Sequence, residues 1–99
     1  MSSDQRFTTI TSTGQVKTIS GGSTNMGPCR VTYIQAAGAA SSVVVLRDIS
    51  SGSTGAKVFE ADFGTEGLDI MIPGNGIRFE NGVHATMTNV TSVTIGYTG

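Results

Sequence analysis

Cysteine and histidine each occur once, as Cys29 and His84, so a thiolate–imidazole couple is the one nucleophile–base pair that cysteine chemistry could use here. That chemistry needs both side chains on one surface, within hydrogen-bond reach. Cys29 shares an alternating face with Val31 and Tyr33, which predicts an inert thiol among core side chains. His84 alternates against Val83 and Ala85 and is expected to point outward. Side chains on opposite faces of a sheet cannot form a dyad. The sequence therefore predicts no catalytic residues and no enzyme.

Other patterns carry chemistry only in part. Residues 22–27 have the G-x-x-x-x-G spacing that opens a phosphate loop, but Pro28 and Cys29 follow where Lys and Ser or Thr would reach phosphate and magnesium. A surface loop is the better reading. Glu60, Asp62, Glu66 and Asp69 could supply oxygen ligands to calcium, yet they are split between two expected strands and a turn, without the regular spacing of a calcium loop. They read as a solvated acidic edge. No metal and no cofactor is expected. Asn89-Val90-Thr91 matches a glycosylation acceptor, which has a consequence only after secretion. Phe7, Tyr33, Phe59, Phe63, Phe79 and Tyr97 would make a sugar-stacking platform if several were exposed, but most fall on apolar faces and are expected in the core.

The elements that must position these residues are strands. In the last third, Leu68, Ile70 and Ile72 alternate up to a Pro73-Gly74-Asn75-Gly76 turn, and Ile77 and Phe79 alternate after it. Asn81-Gly82 then predicts a type I′ hairpin turn, with positive φ at both positions. Val83, Ala85 and Met87 share the next face, followed beyond Asn89 by Val93, Ile95 and Tyr97. Earlier strands are expected over residues 7–12, 15–20, 29–35, 43–49 and 56–63, with Phe59, Ala61 and Phe63 on one face of the last. Residues 35–40 carry four alanines, but Gly38 and the β-branched run after it argue against a helix. Residues 50–55 form a linker-like loop too short to separate domains. The expectation is all-β: a single-domain antiparallel β-sandwich, jelly-roll-like, of about eight short strands over residues 6–99, preceded by a polar arm at residues 1–5.

Composition bounds the partners. A chain of 99 residues is one domain at most, and with a single cysteine its fold depends on packing and not on an internal disulfide. A net charge of −1 with scattered Lys17, Arg30, Arg47, Lys57 and Arg78 shows no basic run, so no nucleic-acid partner is expected. No apolar stretch reaches the length of a membrane span, and residues 1–6 lack the apolar core of a signal peptide. Synthesis in a cytoplasm and no membrane association are the expectations.

The closing third also carries a resemblance. Ile72-Pro73-Gly74-Asn75-Gly76-Ile77-Arg78-Phe79, then Gly82, then residues 89–95 (NVTSVTI) and a final Tyr97, resembles small β-rich virion structural proteins of tailed phages, particularly marine ones. The match covers about a third of the chain; its residues are turn and core positions, and the family supplies no catalytic residues. The resemblance implies a virion component, most simply a capsid decoration (cement) protein that binds the major capsid protein or other virion proteins as a homo-oligomer, with a trimer favoured. A small tail or fibre module recognising host surface glycans is the alternative. Gln5, Arg6 and Phe7, at the end of the polar arm, are the expected partner-binding residues.

Overall fold

The computed structural model describes residues 5–99, so residues 1–4 of the expected arm lie outside the described part. Seven strands follow one another: β1 (Arg6–Ile10), β2 (Gly14–Gln15), β3 (Cys29–Asp48), β4 (Ala56–Phe63), β5 (Leu68–Met71), β6 (Ile77–Phe79) and β7 (Val83–Thr98). They form one antiparallel sheet, with the path β1-β7-β3-β4; β2 adds to β7, and β5 and β6 add to β3. The chain is all-β, as its period-two alternation requires.

Two long strands carry the rest. β3 has 20 residues and β7 has 16, and they pair along nearly their whole length, from Arg30↔Thr98 to Asp48↔Val83. The two strands expected at residues 29–35 and 43–49 are thus one. They stay continuous because the chain bends without breaking, through register shifts on either side of Gly38. Ser41 and Asn89 take left-handed backbone there, with φ of 61° and 58°. The Ser42 hydroxyl donates to the carbonyls of Ala39 and Asn89, and the Asn89 amide donates to the Ser41 carbonyl at 3.3 Å. These bonds tie the bend of one strand to the bend of the other. At the bend β3 sets residues 39–42 against Asn89 alone, and such unequal lengths sharpen the curvature of the longer strand.

The bend folds the sheet over, so one apolar cluster collects inward side chains from both halves. Val31, Ile34 and Ala36 join Val44 and Leu46 from β3, and Val83 and Ala85 join Val93, Ile95 and Tyr97 from β7. The layering of a sandwich arises here from one continuous sheet. Phe79, Ile34, Leu46 and Ile95 are fully buried, each contributing about 1.5–3 kcal/mol through loss of apolar surface from water. Phe59, Ala61 and Phe63 line the same side of β4, as their alternation predicts, and pack partly buried against the cluster.

The Asn81-Gly82 hairpin does not form. β6 and β7 both pair with β3 and not with each other, and neither Asn81 nor Gly82 has a positive φ. The segment between them instead crosses beneath Asp48, whose carboxylate accepts from the backbone N–H groups of Glu80, Asn81 and Gly82 at 3.1, 2.8 and 3.4 Å. Gly82 is required by crowding and not by φ: a Cβ there would sit 2.5 Å from the Met26 carbonyl and 2.8 Å from that of Ile49. The turn at residues 73–76 does form, with Gly74 and Gly76 at φ of 71° and 83°.

Candidate functional site

Tyr33 is the first side chain that departs from expectation. Simple alternation puts it inward with Cys29 and Val31, but the pairing of β3 with β7 slips between Val31 and Tyr33, so that Val31 faces Tyr97 and Tyr33 faces Gly96. The extra residue, Thr32, shifts the phase. Val31 and Ile34 are both buried as a result, while Tyr33 turns to the outer face.

There it meets Phe7. On β1, Thr8 is 1% exposed and points inward, so Phe7 stands on the outer face and is 55% exposed. Phe7 and Tyr33 pack edge to face, with ring centroids 5.9 Å apart and planes at 74°. Both rings lean over Gly96, the residue that faces each of them across the sheet; a Cβ there would lie 2.8 Å from Phe7 Cε2 and 2.9 Å from Tyr33 Cβ. Met71, in register with Tyr33 on β5 and 78% exposed, extends the row. The row Phe7–Gly96–Tyr33–Met71 therefore crosses four strands on the outer face, and its side chains Phe7, Tyr33 and Met71 line an open cleft of about 620 Å³.

Polar groups edge this row. Gln5 and Thr32 hold each other, the Gln5 amide donating to the Thr32 hydroxyl at 2.8 Å and that hydroxyl reaching Gln5 Oε1 at 3.1 Å. The Tyr33 phenol donates to Asp69 Oδ1 at 2.6 Å, a bond to a carboxylate that raises the phenol above its ordinary pKa. One row further, Thr9 and Thr94 share a hydroxyl–hydroxyl bond of 2.8 Å. On the opposite flank, Arg30 on β3 faces Arg78 on β6 on one side and Thr98 on β7 on the other. Cys29 and Val31 point inward, so the alternation puts both arginines on the outer face. A second cleft, lined by Arg30, Asn75 and Thr98, shares Gln5, Thr32 and Gly74 with the first.

The residues singled out for other chemistry sit elsewhere. Cys29 is buried, with its thiol against the Met26 sulfur at 3.4 Å. Burial, reinforced by the charge of Asp48, pushes the thiol up to about 11, so it is protonated and unreactive at neutral pH. His84 is on the face opposite Val83 and Ala85, as predicted, but it is 5% exposed and not in solvent. Its register neighbours Gln15 and Arg47 reach the two ends of the 49–55 loop, by bonds to the Ile49 and Gly55 carbonyls. That loop closes over the outer face here. Burial, then the charge of Arg47, lowers the pKa of His84.

The 22–27 loop is pinned, with Thr18 N–H on the Thr24 carbonyl and Met26 N–H on the Val16 carbonyl. Glu60 pairs with Lys57 at 2.7 Å, and among the described residues no three His, Cys, Asp or Glu side chains converge as metal ligands. Of the expected partner-binding residues, Gln5 and Phe7 lie on the aromatic face. Arg6 faces Tyr97 at the rim of the inner side. Sequence reasoning missed Tyr33, Met71 and the Arg30–Arg78 juxtaposition. The two arginines are 48 positions apart, and no local pattern signals that a third strand brings them together.

Comparison with protein-family models, with curated proteins and with solved structures finds no match.

Proposed function

We propose that this chain is a virion structural protein of a tailed phage, a capsid decoration (cement) protein that binds the head lattice as a homo-oligomer. The observation that carries the reading is the exposed apolar row Phe7–Tyr33–Met71. Phe7 is 55% and Met71 78% exposed, on a rigid sheet and beside the residues expected to bind a partner. Large apolar side chains gathered on one face mark an interaction surface more often than chance exposure does. A lattice protein gains avidity from many modest contacts repeated by symmetry, so a face of this size suffices. The resemblance of the closing third to small phage virion proteins supports the same reading, with the major capsid protein as partner and the virion as its place of action.

The test is occupancy on particles. Wild-type protein is expected to be present in many copies per head and to rebind heads stripped of it. Phe7→Ser with Met71→Ser should rebind at least ten-fold more weakly while remaining folded. Equal rebinding would remove the apolar row from the interface; absence from purified heads would remove the reading altogether.

A second reading, a tail or fibre module that recognises host surface glycans, is favoured by one specific feature. Phe7 and Tyr33 form an accessible aromatic pair edged by an amide and a hydroxyl, the arrangement onto which a sugar packs its C–H face.

A further inference from the structure

Arg30 and Arg78 stand directly opposite one another on adjacent antiparallel strands. Residues so placed have Cα atoms about 4.5–5.5 Å apart, and like charges in that position destabilise a sheet. The ion pair formed among the described residues is Lys57–Glu60, on another strand, so neither arginine has an acidic partner among them. The third residue of the row is Thr98, which brings no charge. Solvent and salt screen part of this repulsion, and an anion held between the guanidinium groups would turn it into attraction. These groups suit a carboxylate or sulfate, which they can grip with two parallel bonds each.

The cleft beside Arg30 runs into the aromatic cleft through Gln5, Thr32 and Gly74. A single shallow groove thus has Arg30 at one end, with Arg78 in register beside it on the next strand, and exposed rings at the other. Its middle is edged by amide and hydroxyl groups. Asp69, bound to the Tyr33 phenol, lies past the rings, so an anionic group is steered to the arginine end. A phosphate backbone would need a longer track of cations than two, and the chain carries a net charge of −1.

We propose that this groove binds an acidic carbohydrate, its sugar ring against Phe7 and Tyr33 and its carboxylate or sulfate between Arg30 and Arg78. The inference rests on the glycan reading above and adds the class of glycan, the site and its polarity.

The experiment is a titration of the full chain, followed by calorimetry, with three probes: tetragalacturonate, a heparin-derived tetrasaccharide and neutral maltotetraose. The carboxylated or the sulfated probe should bind at least ten-fold more tightly than the neutral one, and which of the two wins identifies the anionic group. Arg30→Gln and Arg78→Gln should each lose that preference, so that the acidic probes bind no more tightly than the neutral one; Phe7→Ala should weaken all binding. Affinity for the acidic probe should fall as salt rises. Equal binding of acidic and neutral probes, or indifference to both arginine substitutions, would overturn the acidic inference and leave the glycan reading standing. Inorganic sulfate competing as well as the oligosaccharide would reduce the site to an anion site and also overturn it. Binding of none of the three, with capsid binding retained, would overturn both this inference and the glycan reading.

Discussion

Gly96 gives the aromatic face its shape by having no side chain. Phe7 and Tyr33 pack into the space above it, and the ring edge of Phe7 and the Cβ of Tyr33 lie where a methyl group would go. Phe7 can swing aside, but the Tyr33 Cβ is fixed to the backbone of the central strand. Gly96→Ala is therefore expected to cost about 1–3 kcal/mol, the range for overpacking, measured by urea unfolding. The same variant should also lose the Phe7–Tyr33 ring contact, visible as a change in the aromatic proton shifts of both residues. Arg78 is the converse case, a side chain present against the interest of the fold. Replacing it with Gln removes a like-charge pair and should raise stability by about 0.2–1 kcal/mol at low salt, with the gain shrinking as salt is added. A loss of stability would mean that Arg78 has a structural partner and would weaken the case for a functional one.

The elements were legible where alternation is local and lost where the chain bends. β4, β5 and β6 match their predicted ranges to within a residue, because each is short, straight and bounded by turn residues. The linear pattern divides β3 into two strands, since Ala36, Ala37 and Gly38 look like an ending and nothing in it shows that the partner strand bends at the same place. The Asn81-Gly82 signal misled for a related reason. Those residues are shaped by Asp48 and by two carbonyls from distant segments, and both determinants are tertiary. The Thr32 bulge reversed Tyr33 and so concealed half of the aromatic pair. The exposure of Phe7 was hidden differently: either phase of β1 offers one large apolar residue, and the sheet chose Ile10 and Thr8 for the core. The paired bend itself makes a prediction at this scale. Asn89 tolerates its φ of 58°, a conformation that costs a β-branched residue about 1–2 kcal/mol. Asn89→Val should thus lose roughly 2 kcal/mol once its bond to the Ser41 carbonyl is counted, while Asn89→Gly loses well under half as much. Equal losses would mean that the bond, and not the backbone, fixes the bend.

At the scale of the whole molecule, three titratable groups on the two long strands, Cys29 and Asp48 at the ends of β3 and His84 on β7, shape the dependence of stability on pH. His84 has its pKa lowered, by burial and then by Arg47, so the unfolded chain takes up a proton more readily than the folded one. Its contribution is complete above the unfolded value of about 6.5 and declines as pH falls below it. Asp48 acts lower down. Burial opposes its charge, but the N–H groups of Glu80, Asn81 and Gly82 outweigh that and hold its carboxyl below the ordinary value. The stability it supplies is present above an unfolded pKa of about 4 and is lost as pH falls through the folded value. Cys29 bounds the alkaline side: with its thiol pushed up to about 11, stability falls as the unfolded thiol ionises from about pH 9. Urea midpoints measured from pH 3 to pH 10 should therefore trace a plateau with two acid steps and one alkaline limb. His84→Gln should abolish the first acid step, Asp48→Asn the second and Cys29→Ala the limb. Asp48→Asn should also lower the plateau, because a neutral amide accepts from those N–H groups more weakly than a carboxylate does. Loss of the second step in the His84 variant would be the telling exception. It would mean that the 49–55 loop over His84 and the Asp48 crossing open together, as one acid-sensitive unit at the same end of the two long strands.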